Sequence, residues 1–266
     1  MNELINYTLC LADNSLIIGH RNSEWTGYGP ILEQDIAISN IALDLIGQAR
    51  NFYQYAAVLI NNGVTKSETK ALSFGEGLGE VTEDTLAYLR NANDFKNCLL
   101  VEQPNGDWAK TILRQFFFSA YQYFLYQYLQ NSKDETLAAI AEKSLKEVTY
   151  HLRWSSEWVI RLGDGTEESH SRMLKAIDEL WMFTEEIFEP VSYEVIAASE
   201  NFGVDVFLLK NDWLKKVAAI FDEATLSIPE NIVMKTGGKE GKHTEHLGFL
   251  LAELQYLQRT YPGAEW

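Results

Sequence analysis

Glu147 and His151 stand one helical turn apart in the segment AEKSLKEVTYHLRWSSEW, a spacing from which either a metal centre or a buried ion pair can be built. Carboxylate-bridged di-iron bundles need more: a Glu-x-x-His pair on each of two helices, with both side chains facing inward. Three positions before His151 the chain carries Val148, and the nearest carboxylate, Glu147, is displaced to i−4. A second helical segment, NIALDLIGQARNF, presents Leu45 and Gln48 at the three-residue spacing. Isobutyl and carboxamide groups do not substitute for carboxylate and imidazole at a hard divalent ion. The pattern predicts a non-catalytic relative of an oxygen-activating enzyme.

With Asp44 as a third group, Glu147 and His151 admit a mononuclear metal site. The alternative is a buried ion pair or hydrogen-bonded remnant in the space a metal would fill. It is the favoured reading, since a desolvated imidazole beside carboxylates takes up a proton and neutralises them. A Glu-x-x-His spacing also occurs at Glu240 and His243, but Gly237, Gly238 and Gly241 make that segment a loop. There His243 and His246 are expected to pack or cap at the start of the last helix, with Thr244 as N-cap. Lys235, Lys239 and Lys242 share the loop, and ammonium groups on glycine-rich backbone suit phosphate or carboxylate recognition. The choice between a ligand or partner contact and an ordinary solvated loop stays open on sequence.

These groups have to be positioned by helices. Apolar residues recur at i, i+3, i+4 and i+7 without convincing period-2 alternation, so the chain is expected to be all-α. Helices are expected over about 3–21, 30–62, 83–90, 107–130, 133–162, 167–188, 204–224 and 245–259. The short NSKD connection makes the fourth and fifth antiparallel neighbours. Pro104-Asn105-Gly106 is a turn signal with Asp107 as the following N-cap, and GDGT closes one helix and caps the next. GVTKSETKALSFGEGLGEV, with four glycines from Gly63 to Gly79, is the least helical part and is expected to be a surface excursion. The row FFFSAYQYFLYQY reads as core and interface, its tyrosines available to buried polar positions.

Bulk composition narrows the function class. A formal charge of −16 argues against nucleic acid and against anionic membrane surfaces. The first apolar stretch, MNELINYTLCLADNSL, lacks the basic and uninterrupted regions of a signal peptide, and no run approaches the roughly 20 residues of a membrane span. Cys10 and Cys98 cannot form a disulfide framework and are expected to be buried thiols. A cytoplasmic location follows as the expectation. Seven Trp, 13 Tyr and 13 Phe exceed the needs of a minimal bundle, so some are expected to face partner chains.

The segments LDLIGQARNFYQYAA, FKNCLLVEQPNGDWA, LKEVTYHLRWS and KTGGKEGKHTEHLGFLLAELQYLQR resemble, in order and over essentially the whole chain, the C subunits of bacterial phenylacetyl-CoA epoxidases of aerobic phenylacetic acid degradation. Only the stretch Val64–Gly79 is longer than the family leads one to expect. The resemblance implies a single ferritin-like domain over 1–266, with a core bundle at about 3–188 and additional C-terminal helices at about 193–266. It implies a structural subunit without cofactor, bound to a homologous catalytic subunit. That partner holds di-iron, inserts one oxygen atom into the ring of phenylacetyl-CoA and draws electrons from a separate reductase. Against the catalytic relatives, the ligand positions fall at Leu16, Leu45, Gln48, Ser119, Val148 and His151. Phe95 and Asn97 match a family motif and are expected near coenzyme A or at the interface with the partner, and the helices at about 30–62 and 107–130 are expected to carry that interface. Two other readings remain: an active ferritin-like metal-dependent oxygenase, and a metal-free module binding coenzyme A thioesters.

Overall fold

The computed structural model describes residues 2–63, 80–262 and 264, so the glycine-rich stretch expected as a surface excursion lies outside the described residues. In chain order the helices are α1 (Asn2–Ser23), α2 (Leu32–Gly63), α3 (Glu83–Tyr88), α4 (Leu99–Glu102), α5 (Trp108–Leu129) and α6 (Glu135–Gly163). There follow α7 (Glu167–Leu180), α8 (Ser192–Ser199), α9 (Lys210–Glu223), α10 (Glu245–Leu254) and α11 (Tyr256–Thr260). The protein is all-α, with no strand among the described residues.

Four long helices form the bundle, and side-chain pairs fix their directions. Tyr53 of α2 reaches Asp13 of α1, while Gly19 of α1 abuts Leu45 and Ile46 of α2, so α1 and α2 are antiparallel. Asp44 meets His151 and Gln48 meets Glu147, which makes α2 and α6 antiparallel as well. The α5–α6 hairpin brings Trp108 against Trp154 and Trp158. Both α2 and α5 therefore run opposite to α6, and so parallel to each other. The chain between them must cross the length of the bundle. One long crossover of this kind is the connectivity of ferritin-like bundles, and the architecture is consistent with that fold.

Local chemistry sets the element ends. Asp107 accepts from Lys110 N (3.0 Å) as the N-cap of α5, Asp134 caps α6 through Leu137 N (2.9 Å), and Thr166 caps α7 through Ser169 N (3.2 Å). The helix expected over 167–188 is shorter. It ends at Leu180 and continues as two 3₁₀ turns, Trp181–Phe183 and Glu185–Phe188. Trp181, Phe183, Ile187 and Phe188 are all buried there, an arrangement a continuous 3.6-residue helix presents on more than one face. The helix expected from 204 begins at Lys210, because Asp205 caps a preceding 3₁₀ turn through Phe207 N. Helix α4 lies outside the expected set, and α8 falls at the start of the region expected to hold additional helices.

The aromatic row on α5 is core in its first half, while Tyr123 and Phe124 are half-buried and Tyr128 is exposed. Phe116, Phe117 and Phe118 are buried, and Phe117 packs on Trp181, Trp213 and Phe221 at 5.5–6.1 Å between centroids. At one end of the bundle Trp108 takes edge-to-face contacts from Trp25, Trp154 and Trp158. The described tryptophans are thus internal or half-buried, and the large exposed aromatics are Tyr and Phe, among them Tyr28, Tyr128, Phe207 and Phe249. Helix α5, likewise expected to carry the interface with a partner, is buried along most of its length.

The crossover is anchored by Asp13, a fully buried carboxylate on α1. It pairs with both terminal nitrogens of Arg90 and accepts from Tyr53 Oη (2.5 Å) and Lys96 N (2.8 Å). Burial, and then the Asp13 charge, push the Tyr53 phenol well above its ordinary range. The Arg90 guanidinium lies over the Phe95 ring at 4.2 Å. Removing one member of a buried, hydrogen-bonded pair strands the other. We therefore expect Asp13→Ala to lower unfolding free energy by about 3–5 kcal/mol in urea titrations followed by circular dichroism.

Candidate functional site at the bundle centre

The structure brings the six positions expected to correspond to metal ligands to the interior of the four bundle helices: Leu16 on α1, Leu45 and Gln48 on α2, Ser119 on α5, Val148 and His151 on α6. Leu45, Ser119, Val148 and His151 have no solvent exposure, Gln48 has 1% and Leu16 has 7%. The donor set there is three aliphatic groups, one carboxamide, one hydroxyl and one imidazole. Such a set lacks the bridging anionic oxygens a two-metal cluster requires, so a di-iron centre does not fit these residues. Among the described residues no group of three His, Cys, Asp or Glu is placed to hold a metal ion.

What fills the space is a hydrogen-bond network, with pairings that differ from the expected ones. His151 Nε2 lies 3.0 Å from Asp44 Oδ2, across the α2–α6 seam, and not against Glu147. Glu147 instead accepts from Gln48 Nε2 (2.9 Å). The carboxamide oxygen of Gln48 then takes Tyr126 Oη at 3.3 Å and Gln122 Nε2 at 3.4 Å. Spacing at i, i+4 puts Glu147 and His151 on one face, but each finds a nearer partner on the neighbouring helix. Ser119 accepts from Gln115 Nε2 (2.7 Å), whose carboxamide oxygen accepts from Asn22 (2.6 Å). His151 Nδ1, Gln122 Oε1 and Ser144 Oγ are buried without hydrogen-bond partners. The network ties α2 to α5 and α6 by side-chain hydrogen bonds.

The other sequence candidates converge elsewhere, at a junction between the crossover and the C-terminal segment. Phe95 and Asn97 are fully buried, a correction to their expected place at a ligand or partner contact. Asn97 Nδ2 donates to Glu102 Oε2 (2.9 Å). Glu102, also fully buried, further accepts from Thr244 N (2.6 Å), Thr244 Oγ1 (2.7 Å) and His243 Nδ1 (2.8 Å). Thr244 occupies the N-cap position of α10, yet its hydroxyl serves Glu102 and not the helix. The loop glycines are needed for close approach. A Cβ on Gly238 would sit 2.4 Å from Asn97 O, and one on Gly241, at φ +82°, would sit 2.3 Å from Asn93 O.

This loop does form an anion nest, but the protein fills it. Glu186 Oε1 accepts from Gly237 N (2.7 Å) and Gly238 N (2.6 Å), and its Oε2 accepts from Leu99 N (2.6 Å). Lys239 is 3% exposed, pairs with Glu194 (2.7 Å) and donates to Glu189 O (2.7 Å). Its expected role as a ligand or partner contact is corrected: the ammonium is committed internally. Lys235 lies 5.6 Å from the Phe183 ring centroid, and Lys242 is exposed. The spacing Glu167–His170, not singled out from sequence, is likewise structural, since His170 Nδ1 meets Gly163 O at 2.6 Å. Cys10 and Cys98 are buried free thiols as expected, and burial pushes the Cys10 thiol up to about 12.

With the interior in view, the comparisons with known proteins are decisive. All of residues 1–266 match the family described as phenylacetic acid catabolic protein. The chain belongs to this family. It is 47% identical over 266 residues, the whole of both chains, to the C subunit of 1,2-phenylacetyl-CoA epoxidase from Escherichia coli (strain K12). No described helix is long and apolar enough to cross a membrane.

Two measurable outcomes follow. Because Glu147 keeps Gln48 and Asp44 is 38% exposed, His151→Ala strands no buried carboxylate, and its cost is that of a cavity and one hydrogen bond. We expect about 1–3 kcal/mol in urea unfolding, with His151→Leu recovering part of it. His243 has the opposite character. Burial alone would lower its pKa, but the Glu102 carboxylate and the Phe95 carbonyl (3.0 Å from Nε2) outweigh burial and raise it above the ordinary 6.5. The stabilisation is fully present below about pH 6.5 and is lost as pH rises through the higher folded value. The stability difference between parent and His243→Gln, followed from pH 5.5 to 9, should therefore shrink as pH rises.

Proposed function

We propose that this chain is the structural, non-catalytic subunit of a cytoplasmic phenylacetyl-CoA epoxidase complex in aerobic phenylacetate degradation. In this reading it stabilises a homologous di-iron catalytic subunit and performs no oxygen chemistry itself. The observation that carries the proposal is the interior donor set: Leu16, Leu45, Gln48, Ser119 and Val148 occupy the aligned ligand positions. Full-length similarity to the C subunit of an epoxidase supports the same reading.

A docking face is available on α2. Leu32, Ile36, Leu43 and Ile46 are 71%, 52%, 66% and 39% exposed, and at 100° per residue they fall within one stripe of the helix. Burying such a stripe against a second bundle would use helix faces in the way obligate interfaces do, which bury roughly 2,000 Å² or more in total. Any contact with a coenzyme A thioester in the complex would have to draw on cations other than Lys239, which is internally paired; Lys242 is one that retains solvent access.

The test has two parts. Elemental analysis of the purified chain after expression in iron-replete medium should find no stoichiometric iron, manganese or zinc. Two metal atoms per chain with an oxo-bridged absorption band would refute the reading. Co-expression with the family's catalytic subunit should give one co-eluting complex in size-exclusion chromatography at micromolar concentration. Leu32→Glu with Leu43→Glu, the two most exposed positions of the stripe, should abolish co-elution, a loss of at least about 2 kcal/mol, while leaving thermal unfolding of the isolated chain unchanged.

A further inference from the structure

A groove of about 370 Å³ runs between α5, α6 and α9, away from the bundle centre and from the α2 stripe. Its walls are apolar where Phe124, Leu152, Ile160 and Ile220 meet. Arg153 and Lys216 also line it, and neither has a carboxylate partner among the described residues. In a chain with 38 Asp and Glu against 22 Lys and Arg, partners are not scarce. The Arg153 guanidinium instead lies 5.7 Å from the Tyr150 ring centroid. Glu157, which shares the lining, is 3.9 Å from Arg161 and so faces a cation of its own.

The decisive group is Ser156. It lines the groove, is 5% exposed, and its hydroxyl has no hydrogen-bond partner. A helical serine ordinarily donates to the carbonyl one turn back, as the adjacent Ser155 does to His151 O at 2.7 Å. Ser156 does not, so an uncommitted hydroxyl lies buried in the wall of an apolar groove that also carries two cations without carboxylate partners. A concave, largely apolar site with a few convergent polar groups is the form small-molecule sites take, and 370 Å³ lies within their range. It accommodates an aromatic or branched-alkyl body but not a whole coenzyme A thioester.

We propose that this groove binds a small carboxylate carrying an aryl or short branched-alkyl body. The body packs on Phe124, Leu152 and Ile220, Arg153 and Lys216 neutralise the carboxylate, and the Ser156 hydroxyl, turned about χ1 from the wall toward the groove, supplies a neutral donor. The site is independent of the proposed function, since it uses none of the residues at the bundle centre or on the α2 stripe.

Isothermal titration of the full chain with phenylacetate, phenylacetamide and acetate tests it. Phenylacetate should bind saturably at one site per chain with a submillimolar constant. The neutral amide and the bodiless acetate should each bind at least tenfold more weakly. Arg153→Gln combined with Lys216→Gln should weaken phenylacetate at least tenfold, and Thr149→Trp, at an exposed lining position, should abolish binding. Circular dichroism melts establish that both variants are folded; were the Trp variant unfolded, the paired charge variant would carry the decision alone. No saturation by about 10 mM phenylacetate overturns the site. Equal affinity for the amide overturns its anion specificity, and binding that the charge variant leaves unchanged overturns its location.

Discussion

The fold turns on Asp13. Parallel α2 and α5 oblige the intervening chain to travel the length of the bundle, and loop-closure entropy rises with the length of such a connection. Asp13 draws α1, α2 and the crossover to one buried point, through Arg90, Tyr53 and the Lys96 amide. Two further buried carboxylates extend the principle. Glu102 ties the crossover to the start of α10, and Glu186 ties the 3₁₀ segment both to α4 and to the Gly237–Gly238 turn. Each is surrounded by several donors, the condition under which a buried charge is tolerable. The C-terminal helices are thus joined to the core by charge-assisted hydrogen bonds as well as by apolar packing.

The same logic explains the bundle centre by contrast. A metal cluster would gather carboxylates inward and hold them by coordination. Aliphatic groups at Leu16, Leu45 and Val148 need no such compensation, and they contribute by packing. The polar residues that remain have been drawn into pairs across helices, His151 with Asp44 and Gln48 with Glu147. Tyr126 on the aromatic row completes one of those pairs through Gln48. The centre is a seam of packed aliphatic groups and cross-helix hydrogen bonds.

Much of this was legible in the sequence. Helical periodicity located the four bundle helices, and Asp107 announced the start of α5 because side-chain capping is a local interaction. What escaped was partner choice. Spacing placed Glu147 beside His151 on one face of α6, but whether they pair depends on what α2 presents, and α2 presents Gln48 and Asp44. The basic loop misled for a related reason. Its glycines and lysines do make an anion nest, and nothing local reveals that Glu186, about 50 residues earlier, fills it. Phe95, Asn97 and the loop were singled out separately, yet they form one junction, visible only when the chain is folded.

The seam and the α2 stripe are neighbours. Asp44 follows exposed Leu43 directly and precedes exposed Ile46 by two positions, so the half-exposed carboxylate that holds His151 stands at the edge of the apolar face. Covering that face with a second bundle would remove water from Asp44 and lower the local dielectric, which strengthens its interaction with the imidazole. The α2–α6 register would then be tightest in the assembled state. A helix pair aligned with metal-binding positions would in this way transmit partner binding to the core, using packing and one hydrogen-bonded pair in place of coordination.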